Sequence, residues 1–122
     1  MARHNLTGTH GEDIATEYLT AKGYAIVERN WRSGRYELDI IASKDSRIVF
    51  VEVKTRSNPD DDPIAAVDSR KSLRLIRAAL AYMEQRRLPH DIQFDLIAIT
   101  GTPPDCTVEH IEDAFTPPLR TY

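Results

Sequence analysis

The stretch RYELDIIASKDSRIVFVEVKT, residues 35–55, decides how this chain folds. Two runs rich in Ile, Val and Phe, Arg35–Ser43 and Arg47–Thr55, flank the short polar link Lys44, Asp45 and Ser46. Such residues suit a pleated, half-buried surface, so the pattern predicts two strands joined as a hairpin. Side chains alternate faces along a strand. Glu37, Asp39 and Ile41 therefore share one face of the first strand. On the second, Glu52 and Lys54 share a face while Val49, Val51 and Val53 take the other. With Lys44 to Arg47 as the link, Ser43 lies opposite Ile48, which sets Asp39 against Glu52 and Glu37 against Lys54.

Two carboxylates directly opposite on a sheet repel, and when partly desolvated one of them tends to take up a proton. A hard divalent cation resolves the conflict, because Mg²⁺ and Mn²⁺ favour negatively charged oxygen ligands. The ammonium of Lys54 beside such a pair would hold a water or a phosphate oxygen, a set of groups suited to phosphodiester hydrolysis. The plainer reading is a solvated strand face with ordinary cross-strand ion pairs. Against it stand the neighbours Ile40, Ile41, Val49, Phe50, Val51 and Val53, which belong to interior strands, where a carboxylate pair needs a partner.

Outward from the hairpin, Ile14, Ala15, Tyr18 and Leu19 recur at helical spacing, predicting a helix from about Thr7 to Lys22 with Gly23 as its stop. Tyr24–Arg29 (YAIVER) reads as a strand and Ser33-Gly34 as a turn. SNPDDDP, residues 57–63, reads as a mobile acidic loop. A long helix is predicted over Ser69–Arg87, before Pro89, with Leu73, Ile76, Leu80 and Met83 as the stripe facing the sheet. Arg70, Arg74 and Arg77 project together beside that stripe, either as a solvated basic face or as a ridge that contacts phosphates. Gln93–Thr100 reads as a strand, GTPPD as a turn and Thr107–Ile111 as a last short strand. The element order predicts one α/β sandwich with a mixed sheet.

Composition narrows the function. The 122 residues, 41% hydrophobic and 29% charged, suffice for one domain with a real core. A single cysteine, Cys106, excludes an intramolecular disulfide and a multi-cysteine zinc site, and reads as a free thiol. No stretch approaches the roughly 20 apolar residues of a membrane span, and the start lacks the apolar core of a secretory signal. A cytoplasmic setting with no membrane partner is the expectation. The net charge of −3 argues against a polyanion binder over the whole surface. Residues 67–87 nevertheless carry six basic against two acidic residues, and residues 90–122 carry six acidic against one basic. One face can still meet a polyanion. His4, His10, His90 and His110 lack metal-ligand spacing and read as surface groups, and no Gly-rich phosphate loop is present.

Asp39, twelve residues, then Glu52-Val53-Lys54 resembles the D…ExK signature of restriction-endonuclease-like, or PD-(D/E)xK, nucleases. The words GEDIATEYLTAKGY, ERNWR, ELDIIA, VFVEVKTR and HIEDAF, in order from Gly11 to Phe115, resemble the uncharacterised bacterial YraN family, similar in core to archaeal Holliday-junction resolvases. The resemblance implies an α/β restriction-endonuclease-like three-layer core, with a mixed central sheet flanked by helices. It implies a Mg²⁺- or Mn²⁺-dependent endonuclease acting on DNA, branched or otherwise structured. Asp39 and Glu52 match the metal-binding carboxylates, the Val53 carbonyl a further ligand, and Lys54 the lysine that orients or activates water. Glu12 matches the acid completing the site in resolvase-like members, although a solvated acid near a helix start accounts for it equally well.

Glu37 matches the glutamate of the family's GEiD word and is assigned to supporting the site or touching substrate. The glycine usual before it is Tyr36 here. That substitution strains the backbone if φ must be positive there, or else narrows the substrate approach and offers a stacking face. Lys71, with Arg70, Arg74 and Arg77, is assigned to nucleic-acid contact. Resolvase-like relatives are commonly dimers, and symmetric cutting of two strands needs two sites, so monomer and homodimer both stay open. The alternative function is a nucleic-acid-binding module that keeps the fold without turnover.

Overall fold

The computed structural model describes residues 6–56, 60, 68–87, 91–101 and 104–115, with side chains from residue 10 onward. His4, His90 and all of the 57–63 loop except Asp60 lie outside the described residues. The elements are α1 (Leu6–Ala21), β1 (Ala25–Ser33), β2 (Tyr36–Lys44), β3 (Arg47–Arg56), α2 (Ser69–Arg86), β4 (Ile92–Thr100) and β5 (Thr107–Ile111). They form one five-stranded sheet in the order β1-β2-β3-β4-β5. β3 and β4 run parallel and every other neighbouring pair is antiparallel. This is the α/β, restriction-endonuclease-like three-layer arrangement, with α1 on one face of the sheet and α2 on the other.

The hairpin at the centre forms as its residues demand. Lys44 pairs with Arg47 across Asp45 and Ser46, whose φ values of 53° and 66° are those of a two-residue type I′ turn. Ser43 then lies opposite Ile48, and the pairing runs to Ile40 opposite Val51. α1 ends as Gly23 predicts. Gly23, at φ 95°, donates its N–H to the Thr20 carbonyl, and the next N–H, of Tyr24, reaches the Leu19 carbonyl at 3.0 Å. These are the two bonds of a Schellman motif, which a residue without Cβ adopts freely.

Two cores fill the layers. Ala15, Leu19, Ile40, Ala42, Val49, Val51, Ile97 and Ile99 close the α1 side. Trp31, Leu38, Ile41, Phe50 and Phe94 meet α2 on the other. β4 is buried from Phe94 to Ile99, as a strand covered on both faces must be.

α2 corrects one expectation. It buries Leu75, Ile76, Ala78, Ala79, Tyr82 and Met83, while Leu73 and Leu80 are 39% and 55% exposed. At 100° per residue the buried face is centred about 90° from the expected stripe. The deciding group is Tyr82, whose ring stands edge-on to Trp31 and Phe50 at centroid distances of 5.3 and 5.9 Å. A buried ring of that area together with its edge-to-face pairs exceeds what the apolar area of Leu80 offers. Leu73 and Leu80 consequently share the exposed face with Arg70, Arg74 and Arg77.

β1 and β2 also depart from simple alternation. β1 runs on to Ser33, past the Arg29 end expected for it. Arg29 reaches Asp13 on α1, yet Trp31, two residues on, lies in the α2-side core. Asn30 between them has φ 54°, a left-handed conformation that asparagine tolerates and that interrupts the alternation. Opposite, Ile40 faces α1 and Leu38 faces α2. Asp39 sits at this change of face.

Candidate active site

Asp39 and Glu52 are brought together. They line a shared open cavity of about 150 Å³ with Arg35, Glu37, Lys71, Arg74 and Leu75. They do not meet as a flat cross-strand pair: beyond Ile40 and Val51 the strands part, and the Asp39 Oδ2 accepts from the Val53 N–H at 2.9 Å. Val53 thus touches the site through its backbone, and its side chain packs in the α1-side core.

Glu52 is 9% exposed. Its carboxyl is pushed up to about 7, first by burial and then by the Asp39 carboxylate, while Lys71 works in the opposite direction. Lys71 Nζ lies 3.0 Å from Glu52 Oε2. Lys71 is held there from the first turn of α2, where its N–H donates to the N-cap carboxylate of Asp68 at 2.8 Å.

Glu12 approaches from α1. Its half-buried carboxyl is raised above the ordinary value, mainly by burial and also by Asp39, while a hydrogen bond with Asn30 and the nearby Arg29 lower it. Arg29 Nη2 is 3.7 Å from Glu12 and 2.8 Å from Asp13. Gly11 permits this approach: a Cβ there would stand 2.6 Å from the Thr55 methyl. Asp39 is thus the electrostatic neighbour of both Glu12 and Glu52. Even so, no group of three or more His, Cys, Asp or Glu converges closely enough to hold an ion among the described residues.

The expected places of other residues change. Glu37 is exposed, pairs with Arg32 on β1 at 3.7 Å and stands at the rim of the cavity, so it does not face Lys54. Lys54 is half-buried on β3, makes no ion pair among the described residues and is not among those lining the cavity. The amine at the carboxylates is Lys71. Tyr36 has no positive φ, while Gly34 in the turn before it stands at 61°; of the two alternatives for Tyr36, backbone strain does not arise. Tyr36 instead lines a second cavity with Arg35, Arg70, Leu73, Arg74 and Arg77. Arg35 has little to mark it in the sequence. Its signal was faint, a lone cation beside a turn glycine.

His110 is a further correction, for it is no surface group. Its side chain is 3% exposed, with Nε2 2.7 Å from the fully buried Asp95. Asp95 also accepts from Gln93 Nε2 and from the Asp113 N–H. Cys106 is a free, half-buried thiol as expected.

Comparison with known proteins places this geometry. The model of the uncharacterised protein family UPF0102 matches residues 11–99. The chain belongs to that family. UPF0102 proteins of Bacteroides thetaiotaomicron and Nitratidesulfovibrio vulgaris are each 47% identical to it, over 98% and 93% of this chain and 99% and 86% of theirs. One from Flavobacterium psychrophilum is 43% identical over 94% of this chain and 98% of its own. Among solved structures, Pyrococcus furiosus SfsA in complex with Ca²⁺ is similar at a TM-score of 0.36 and 15% identity, over 89% of this chain; this chain spans 63% of that one. The residues matched by the UPF0102 model include Glu12, Asp39, Glu52, Lys54 and Lys71. The molecule is a nuclease-fold-like member of the uncharacterised family UPF0102.

Proposed function

We propose that this UPF0102 chain is a divalent-metal-dependent endonuclease that hydrolyses phosphodiester bonds in DNA, with branched or otherwise structured DNA as its substrate. The observation that carries the reading is the shared cavity of Asp39 and Glu52, in which burial and mutual repulsion raise the Glu52 carboxyl to about 7. Two carboxylates that destabilise each other fit Mg²⁺ or Mn²⁺, since Mg²⁺ is commonly held by one or two carboxylates plus substrate phosphate and water. Asp39 and Glu52 would hold the ion, with the Val53 carbonyl as the further ligand that the PD-(D/E)xK resemblance suggests; Glu12, the further acid that the YraN and resolvase resemblances suggest, does not converge directly with them and would reach the ion through water. When bound, the ion supplies positive charge to the scissile phosphate.

The chain's own groups do the rest. Arg35 and Arg74, on the wall of the cavity, bind phosphate oxygens and set the strand in place. Lys71 balances the charge of Glu52 and meets the phosphate from the α2 side. Lys54, which stands outside the cavity lining, is given the role of orienting the attacking water by the resemblance alone, with Glu37 touching substrate at the rim. We further read the chain as one domain acting in the cytoplasm, with a homodimer to be tested by sedimentation.

Titration with Mn²⁺ or Mg²⁺, followed by cleavage of linear, flapped and four-way DNA, tests the reading. Asp39→Ala should lose metal binding, and Lys54→Ala and Lys71→Ala should lose cutting. Unchanged behaviour in all three overturns it. The Lys71–Glu52 ion pair favours a second reading, because it already neutralises part of the site. On that reading the protein binds nucleic acid without turnover, and no product forms in excess metal.

A further inference from the structure

The second cavity is not needed to hold a metal, yet it is the larger of the two, about 430 Å³. Its lining has an unusual composition. Arg70, Arg74 and Arg77 come from the exposed face of α2 and Arg35 from the β1–β2 turn, with Tyr36 and Leu73 between them. No acidic residue is among the lining, and none of the four arginines forms an ion pair among the described residues. Cations left unpaired beside one another repel, so their clustering fits a polyanionic ligand. From Arg70 to Arg77 the helix rises about 10 Å. The ridge is therefore long enough to meet more than one phosphate of a single strand.

Charge alone would serve a duplex as well as a single strand. Tyr36 and Leu73 separate the two. The Tyr36 hydroxyl can donate to a phosphate of either ligand, but its ring face and the exposed Leu73 add a flat apolar seat that only a base not stacked in a duplex can use. Arg35 and Arg74 line both cavities, so a strand lying here continues toward Asp39 and Glu52.

We infer that this groove binds a single-stranded segment of nucleic acid, with an unpaired base on Tyr36 and its phosphates on Arg35, Arg70, Arg74 and Arg77. This rests on the nuclease reading only in taking nucleic acid as the ligand. It names the substrate class: DNA with an unpaired stretch beside the scissile bond.

Binding is measured in EDTA, so that cleavage plays no part, by fluorescence anisotropy with four labelled ligands. These are a single strand, a blunt duplex of equal length, a duplex with a single-stranded tail, and an abasic strand with the same phosphates. The single strand and the tailed duplex should bind about 10-fold more tightly than the blunt duplex and the abasic strand. Tyr36→Ala should weaken the single strand by about 5- to 100-fold and leave the abasic strand unchanged, with Tyr36→Phe restoring the difference. Each of Arg70→Ala, Arg74→Ala and Arg77→Ala should lower the slope of log K against log salt by about 0.7 for the single strand. Equal affinity for the blunt duplex and the single strand, or for the abasic and the normal strand, overturns the inference whatever becomes of the variants. A separate Mn²⁺ cleavage assay reports on the nuclease reading, since tight binding through Tyr36 with no product sinks that reading and leaves the groove standing.

Discussion

Two acids are buried in this sheet on adjacent parallel strands, and their surroundings are opposite. Asp95 on β4 faces α1 and is surrounded by donors: Gln93 Nε2 at 2.8 Å, His110 Nε2 at 2.7 Å and the Asp113 N–H at 3.0 Å. Burial alone would raise its carboxyl, but these bonds and the His110 charge hold it below the ordinary range. Glu52 on β3 faces α2, has Lys71 on one side and the Asp39 carboxylate near the other, and is raised. A buried acid with a full set of donors ties the fold together. A buried acid set against a second acid, with one lysine beside it, still has room for further positive charge. The same sheet thus holds a structural carboxylate and a poised one.

The largest expected effect that breaks this contrast is on chemistry. On the proposed nuclease reading, Asp39→Ala should cut Mn²⁺-dependent cleavage by at least about 100-fold, while Asp95→Asn should leave cleavage within a few-fold; gel assays at saturating DNA measure both. The second effect is on stability. Asp95→Ala leaves His110 without its partner and should cost about 3 kcal/mol, read from urea unfolding. His110→Ala should cost a similar amount, with the double variant well short of the sum.

The third effect sharpens the contrast through pH. The raised Glu52 carboxyl means the folded state binds protons more tightly than the unfolded one. Its contribution is full below the ordinary value of 4.5 and is lost as pH rises through about 7. In EDTA at pH 8, Asp39→Asn should therefore stabilise the protein by about 1 kcal/mol, some 3–6 °C in thermal melting, and at pH 4 the gain should vanish. Asp95 carries the reverse sign, since a depressed carboxyl stabilises above its unfolded value and loses that contribution as pH falls. Acid below about pH 4 should weaken wild type more than Asp95→Asn. The smallest effect is on α2, where Leu80→Ser should change stability by about 0.5 kcal/mol or less, against about 3–4 kcal/mol for Tyr82→Ala.

Much of this was legible in the residues. The Lys44–Arg47 link and the alternation on either side located the hairpin and its register, because a turn of that length and a two-residue period leave little freedom. The same reasoning failed three residues beyond, at Glu37. The left-handed Asn30 on the neighbouring strand changes which face is which, and no period on β2 reveals a conformation adopted on β1. Two overlapping stripes on α2 were both helical, and only the rings of Trp31 and Phe50 chose the one containing Tyr82. His110 gave no local sign of burial, since its partner Asp95 lies 15 residues away and on another strand.

By itself, the order of residues determined the element types, the central register and the nearness of Asp39 to Glu52, since each depends on local periodicity and turn chemistry. The tertiary structure alone decided that Lys71 is the amine at the carboxylates, that Leu73 and Tyr36 share a groove with four arginines, and that Asp95 and His110 are a buried pair. These depend on how separate elements stack, and spacing along a chain carries no term for the distance between two layers.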